Sequence, residues 1–177
     1  MAISCLLAQD ITRSTSCSYS LPRIDTLYLA NYEDVTNMSF NEDDTAISGI
    51  TMATGTTWYK IEPQKNSASF TDSLQVGNQG NKFRNHNVTF TVGAAYDSDM
   101  KKVLDALSLG KFVGVVKTVE GSFLCLGRLG GLEAVENDQA NLTGSNDESG
   151  MQFTLVCDTT ESVTPLTETA ISVVTGA

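Results

Sequence analysis

The sequence contains a single histidine, and that scarcity excludes most familiar catalytic constellations. A Ser-His-Asp triad or a Cys-His pair would have to use His86. His86 sits among polar neighbours in Lys82-Phe83-Arg84-Asn85-His86-Asn87-Val88. No Gly-x-Ser-x-Gly elbow supplies a nucleophile. None of the four cysteines, Cys5, Cys17, Cys125 and Cys157, belongs to a CxxC pair, so zinc-ligand spacing is missing. Positive charge is scarce too: 11 Lys and Arg stand against 21 Asp and Glu, a formal charge of -10. Gripping nucleic acid, or an anionic membrane, needs clustered cations, and both are excluded on that ground. Aromatic residues make up only 7%, which weakens any sugar-binding cleft. No stretch approaches the roughly 20 apolar residues of a membrane helix. The opening Met1 to Asp10 has a short apolar run but no basic start, so no secretory signal is expected. The expectation is a protein made and used in a cytosol, or released by lysis.

What is present points to a β-rich domain. A length of 177 residues suits one domain, or one domain with extended arms. Residues 1–21 are rich in Ser and Thr without periodicity and read as an N-terminal arm. Arg23 to Asn31 alternates like a strand, with apolar groups on both faces near its end. Glu33 to Thr45 reads as a polar, acidic loop. Ala46 to Met52 and Thr56 to Glu62 read as strands around a hairpin turn at Ala53-Thr54-Gly55. Ala68 to Val76 continues this sheet, a turn follows at 77–81, and Lys82 to Val92 is a long strand. A helix is predicted over 98–109, with Asp97 or Ser98 as its cap. Met100, Val103, Leu104 and Leu107 form its apolar stripe, and Gly110 ends it. A fully buried Leu104 would lose about 2–5 kcal/mol on replacement by Ala.

Phe112 to Glu120 and Ser122 to Leu129 read as a hairpin closed at Glu120-Gly121. Gly130-Gly131 bends the chain before Leu132 to Val135. Residues 136–150 read as a polar loop, Met151 to Asp158 as the last core strand, and 159–177 as a C-terminal arm with a short strand near Ala170 to Val174. The predicted fold is mainly β: an antiparallel sandwich or barrel over 22–158, with one packed helix.

Each candidate site has a plainer structural reading. Asn41-Glu42-Asp43-Asp44 holds consecutive acids, which in extended chain point to opposite faces, so a solvated loop is favoured over a calcium site. The same applies to Asn146-Asp147-Glu148. His86 is expected in a surface or cross-strand polar role. Gly127-Arg128-Leu129-Gly130-Gly131 matches neither phosphate-loop pattern and reads as a hairpin or bulge. Trp58 and Tyr59 are expected to pack in a core or an interface, one ring pointing inward. Cys125 and Cys157 read as small buried apolar residues. Cys5 and Cys17 are placed for a disulfide across an N-terminal loop, which reducing conditions disfavour. No catalytic, cofactor-binding or metal-ligating residue is assigned, and the chain is not expected to be an enzyme.

The order of arm, long strands, capped helix, hairpin, glycine-rich bend, polar loop, final strand and tail resembles the tail-tube fold of tailed bacteriophages. It is similar, too, to the tail-ring and neck proteins of crAss-like and other Bacteroides phages. Arg23 to Asn31, Lys82 to Gly93, Ser98 to Leu109 and Phe112 to Leu132 carry the likeness, within about residues 20–160. The resemblance implies a structural virion protein assembled in the host cytoplasm, a homo-oligomeric ring that is six-fold or a multiple. Its arms would touch other tail or neck proteins. DNA would pass through an acidic, polar lumen without specific binding, and no membrane or cofactor is implied. A negative lumen repels phosphate and keeps a duplex from sticking. The alternatives are a monomeric β-sandwich binding module, adhesin-like or carbohydrate-binding, and a hydrolase built on unpaired acids.

Overall fold

The computed structural model describes residues 23–93, 98–135, 139–141 and 150–176. The expected N-terminal arm with Cys5 and Cys17, the cap of the first helix, and Asn146-Asp147-Glu148 lie outside the described residues.

The chain folds mainly into antiparallel strands with two helices. In order they are β1 (Ile24–Asn31), β2 (Val35–Phe40), β3 (Ile47–Met52), β4 (Tyr59–Ile61), β5 (Ser69–Val76), β6 (Lys82–Val92), α1 (Ser98–Leu109), β7 (Lys111–Thr118), β8 (Phe123–Leu126), β9 (Leu132–Ala134), β10 (Gln139–Asn141), β11 (Gly150–Thr159), β12 (Thr164–Pro165) and α2 (Glu168–Thr175). A single turn of 3-10 helix, Tyr32–Asp34, precedes β2.

The centre is β7, a continuous apolar strand paired with β1 on one side and with β8 and β9 on the other. Both faces of this central layer are covered, which explains why β1 and β7 are apolar on alternate and intervening positions alike. On one face Leu27, Leu29 and Val116 pack with Val88, Phe90, Phe153 and Leu155 of the β6–β11 pair. On the other face Tyr28, Val113 and Val115 pack with Ile47, Ile50 and Trp58 and with Leu166, Ala170 and Val174 from the C-terminal end. The sheet therefore forms a sandwich with its own β11–β6–β5 extension, and the two-stranded β2–β3 sheet and α2 form a further layer.

Several boundaries match the sequence reading. β6 spans Lys82–Val92, α1 spans Ser98–Leu109, and the β7–β8 hairpin closes through the Gly121 N–H donating to the Thr118 carbonyl at 2.9 Å. Trp58 is buried and Tyr59 exposed, as alternation in an extended chain requires.

Four readings are corrected. The acidic stretch after Glu33 is not all loop: β2 forms there because it pairs with β3. The strands flanking Ala53-Thr54-Gly55 do not pair with each other, since β3 pairs with β2 and β4 with β1, so the segment is a crossover between sheets. The predicted stripe of α1 is only partly buried: Leu107 is enclosed and Leu104 half-buried, but Val103 is 48% exposed. The largest change concerns 159–177. This segment is not a free arm, and its expected strand near Ala170 to Val174 is the helix α2. Ala170 and Val174, four residues apart, share one helical face and are buried. Gly176 ends the helix in the left-handed conformation, its N–H donating to the Ser172 carbonyl. The folded domain thus runs through Thr175.

Candidate functional site

β8 and β9 are one edge of β7 interrupted by a five-residue excursion, Gly127-Arg128-Leu129-Gly130-Gly131. Gly114 pairs with Leu126 before it and Phe112 with Leu132 after it. The bulge predicted from the glycines is therefore present, and the Gly131 N–H closes it on the Gly127 carbonyl at 3.0 Å. At this point the sheet divides: β8 continues to β12 and β9 continues to β11. The division requires backbone that turns sharply between crowded neighbours. Gly127 has φ +72, and a Cβ there would stand 2.7 Å from Leu132 Cγ. Gly130 has φ +105, with Cys157 Sγ 3.0 Å from the same construction.

A polar seam runs beside this turn. His86 in β6 stands opposite Asp72 in β5 and Cys157 in β11. It is 2% exposed, which corrects the surface half of the expectation while keeping the cross-strand half. Its Nδ1 accepts the Gly127 N–H at 3.3 Å. That contact assigns the proton of the neutral ring to Nε2. Among the described residues, Nε2 is buried without a hydrogen bond of good geometry and lies 3.7 Å from Asp72 Oδ1, and the Glu161 backbone also favours a charged ring. Burial holds the His86 pKa below its ordinary value, against the opposing pull of the Asp72 charge.

Asp72 is the hub. Oδ1 accepts from Arg84 Nε at 2.6 Å, and Oδ2 accepts the Val163 N–H at 3.0 Å. Burial alone would raise its carboxyl, but the Arg84 hydrogen bond and the Val163 N–H together hold it below the usual carboxylate range. Farther along, Arg128 donates to Glu161 at 2.7 Å and its guanidinium lies 4.9 Å from the Phe40 ring centre. Cys157 donates its S–H to the Leu129 carbonyl at 3.3 Å. Cys125 is fully enclosed, and burial pushes its thiol up to about 12. Neither thiol is an available nucleophile.

The remaining predicted positions stay apart from this seam. Glu42, Asp43 and Asp44 are exposed, and the turn is organised by Asn41, whose Oδ1 accepts the Thr45 and Ala46 N–H groups at 2.8 and 3.0 Å. Trp58 is enclosed in the second core, where its ring has no open face for a sugar. Among the described residues no three of His, Cys, Asp and Glu are grouped to hold a metal ion, and no helix is long and apolar enough to cross a membrane.

Among the clefts of the described residues, two are of similar size. One, of about 230 Å³, is lined by Tyr32, Val35, Thr36, Asn37, Met38, Val113 and Arg128 and has no carboxylate. The other, of about 210 Å³, is apolar, lies between α1, β4, Val92 and β11, and has Lys60 and Glu62, an ion pair, at its edge. Neither brings together two free carboxyl groups of the kind glycoside hydrolysis uses.

The surface has two further features. β5 closes one end of the sheet and pairs only with β6, so its outer edge is open among the described residues. The core-facing side of β5 carries Phe70 and Asp72, and continues to Leu74 and Val76, which are 56% and 61% exposed. The β5–β6 hairpin therefore projects past the core with an apolar stripe uncovered. Cations, by contrast, are largely matched. Lys60, Arg84, Lys101, Lys102, Lys111, Lys117 and Arg128 each stand in an ion pair with a carboxylate. Among the described residues, Arg23, Lys65 and Lys82 are the cations outside such pairs, and they do not adjoin in sequence.

The fold defines the protein as a mainly antiparallel β-sandwich with a divided central sheet. No family model, curated protein or solved structure matches the chain.

Proposed function

We propose that the chain is a structural subunit that assembles into rings or tubes, in the manner of the phage tail proteins its sequence order resembles. The carrying observation is the projecting β5–β6 hairpin. It combines an open strand edge with Leu74 and Val76 uncovered on its core-facing side. Open edges and apolar stripes invite pairing, and a subunit of a closed ring covers them on assembly. The acidic surplus supports the same reading. With most described cations already matched, the net charge of -10 is not masked by a basic face. Such a surface lets DNA pass without holding it. The subunit acts in the virion tail, is assembled in the host cytoplasm, and needs no catalytic group or cofactor.

Negative-stain microscopy and light scattering of the purified full chain test the proposal. Symmetric rings or short tubes are expected. Leu74→Glu with Val76→Glu should abolish them and leave the circular dichroism spectrum intact. A chain that stays strictly monomeric at high concentration overturns the assembly reading.

A further inference from the structure

His86 is the one imidazole in the chain, and its two nitrogens contact two different segments that the sequence does not connect. Nδ1 faces the Gly127 N–H across 3.3 Å. Nε2 faces Asp72 Oδ1 across 3.7 Å, too far for a hydrogen bond. Asp72 in turn holds the Val163 N–H through Oδ2. Val163 lies in the strap, residues 159–167, which joins β11 to α2. The strap is fastened at further points. Arg128 of the glycine-rich turn binds Glu161, Thr164 pairs with Cys125, and the Thr167 N–H donates to the Ile47 carbonyl at 2.9 Å.

We propose that His86 is the trigger of an acid-operated latch, in which its protonation releases the glycine-rich turn at Gly127 from β6. One solvent proton adds to the Nδ1 lone pair, and no covalent bond changes. Nδ1 then carries a hydrogen that points at the Gly127 N–H, and a donor facing a donor across 3.3 Å must separate. The charged ring is drawn the other way, toward Asp72 Oδ1. That oxygen also accepts from Arg84 at 2.6 Å, while Oδ2 keeps the Val163 N–H and Glu161 attracts the charged ring, so the strap stays fastened.

The groups facing His86 fix the direction of the effect. Asp72 from β5 and Glu161 from the strap favour the charged ring, while Arg84 on β6 opposes it. Cys157, opposite on β11, is itself held protonated by burial, and the Arg128 charge is directed to Glu161. Burial outweighs the attraction, so the ring is neutral in the closed latch. Because the folded pKa lies below the ordinary 6.5, the latch is closed above about pH 6.5 and opens as pH falls toward the folded value. The Arg84 hydrogen bond and the Val163 N–H hold the Asp72 carboxyl below the usual carboxylate range, so it is still ionised where the imidazole changes charge. The inference stands whether or not copies of the chain assemble.

The lone histidine makes the test direct. In the full chain, labelled at histidine, an NMR titration gives the His86 midpoint. Hydrogen exchange, corrected for intrinsic rate, is then measured at pH 7.5 and one unit below that midpoint. Expected is a midpoint below 6.5, with a loss of protection of about tenfold or more in peptides covering 127–131, while 160–167 and β7 keep their protection. In His86→Asn, whose side-chain oxygen still accepts from Gly127 but does not titrate, the loss should vanish. Should that variant fail to fold, the wild-type titration and exchange data decide alone. Protection unchanged across the titration, a loss spread evenly over all strands, or a midpoint at or above 6.5 overturns the latch.

Discussion

Asp72 shows how one side chain links elements distant in sequence. Its carboxylate joins β5 to Arg84 on β6 and to Val163, 91 residues away. Its depressed pKa means that it contributes stability above the unfolded-state value, and that this is lost as pH falls through the folded value. Asp72→Asn should therefore cost about 1–3 kcal/mol near neutral pH and flatten the acid limb of the stability curve below about pH 4, read by urea titration. Gly127 is constrained differently. Alanine there meets Leu132 and a positive φ together, so Gly127→Ala should cost about 1–3 kcal/mol. The thiols give a third residue-scale outcome. With Cys5 and Cys17 replaced by Ser, the free buried pair Cys125 and Cys157 should react with an aromatic disulfide only after denaturant is added. Reaction of either thiol in the folded protein would show that its burial is misjudged.

The two helices bury different amounts of their apolar faces. In α1 Leu107 is the enclosed side chain among the described residues, so Leu107→Ala should destabilise more than Leu104→Ala, which is half-buried. The amphipathic pattern identified the helix and its range, but the depth of burial depends on the strand it meets. α2 is short, and a helix of eight residues is marginal in isolation, so its stability comes from packing. Leu166→Ala, at the strap's entry into α2, should cost about 2–4 kcal/mol in a denaturation experiment. A mobile arm would lose nothing by that change. The strap itself is held by one strand pair with β8 and a parallel bridge from Leu166 to Ile47.

At the scale of the whole molecule, charge and edge exposure act against each other. In the proposed assembly, copies carrying a net charge of -10 would repel, while the β5 edge with the exposed Leu74 and Val76 would attract. Salt screens the first and leaves the second, so assembly should strengthen between about 0.01 and 0.5 M sodium chloride. Sedimentation velocity at fixed protein concentration reads this, and assembly that weakens with salt would place the attraction in ion pairs instead.

The sequence by itself determined the fold class, the long strand β6, the range of α1, the β7–β8 turn and the glycine bulge. Each of these rests on a local pattern: period-2 alternation, a 3.6-residue stripe, or glycine where φ turns positive. Tertiary structure alone decided the partners. The 53–55 turn joins no hairpin because β3 and β4 find strands elsewhere, and local chemistry carries no record of which edge is free. His86 looked polar and superficial among Arg84, Asn85 and Asn87, yet strands on both sides enclose it. The Thr-rich C-terminal stretch read as an arm because its few apolar residues are too sparse to signal a core. They complete a core that is mostly built from β1, β3 and β7, and burial is a property of the assembled layers.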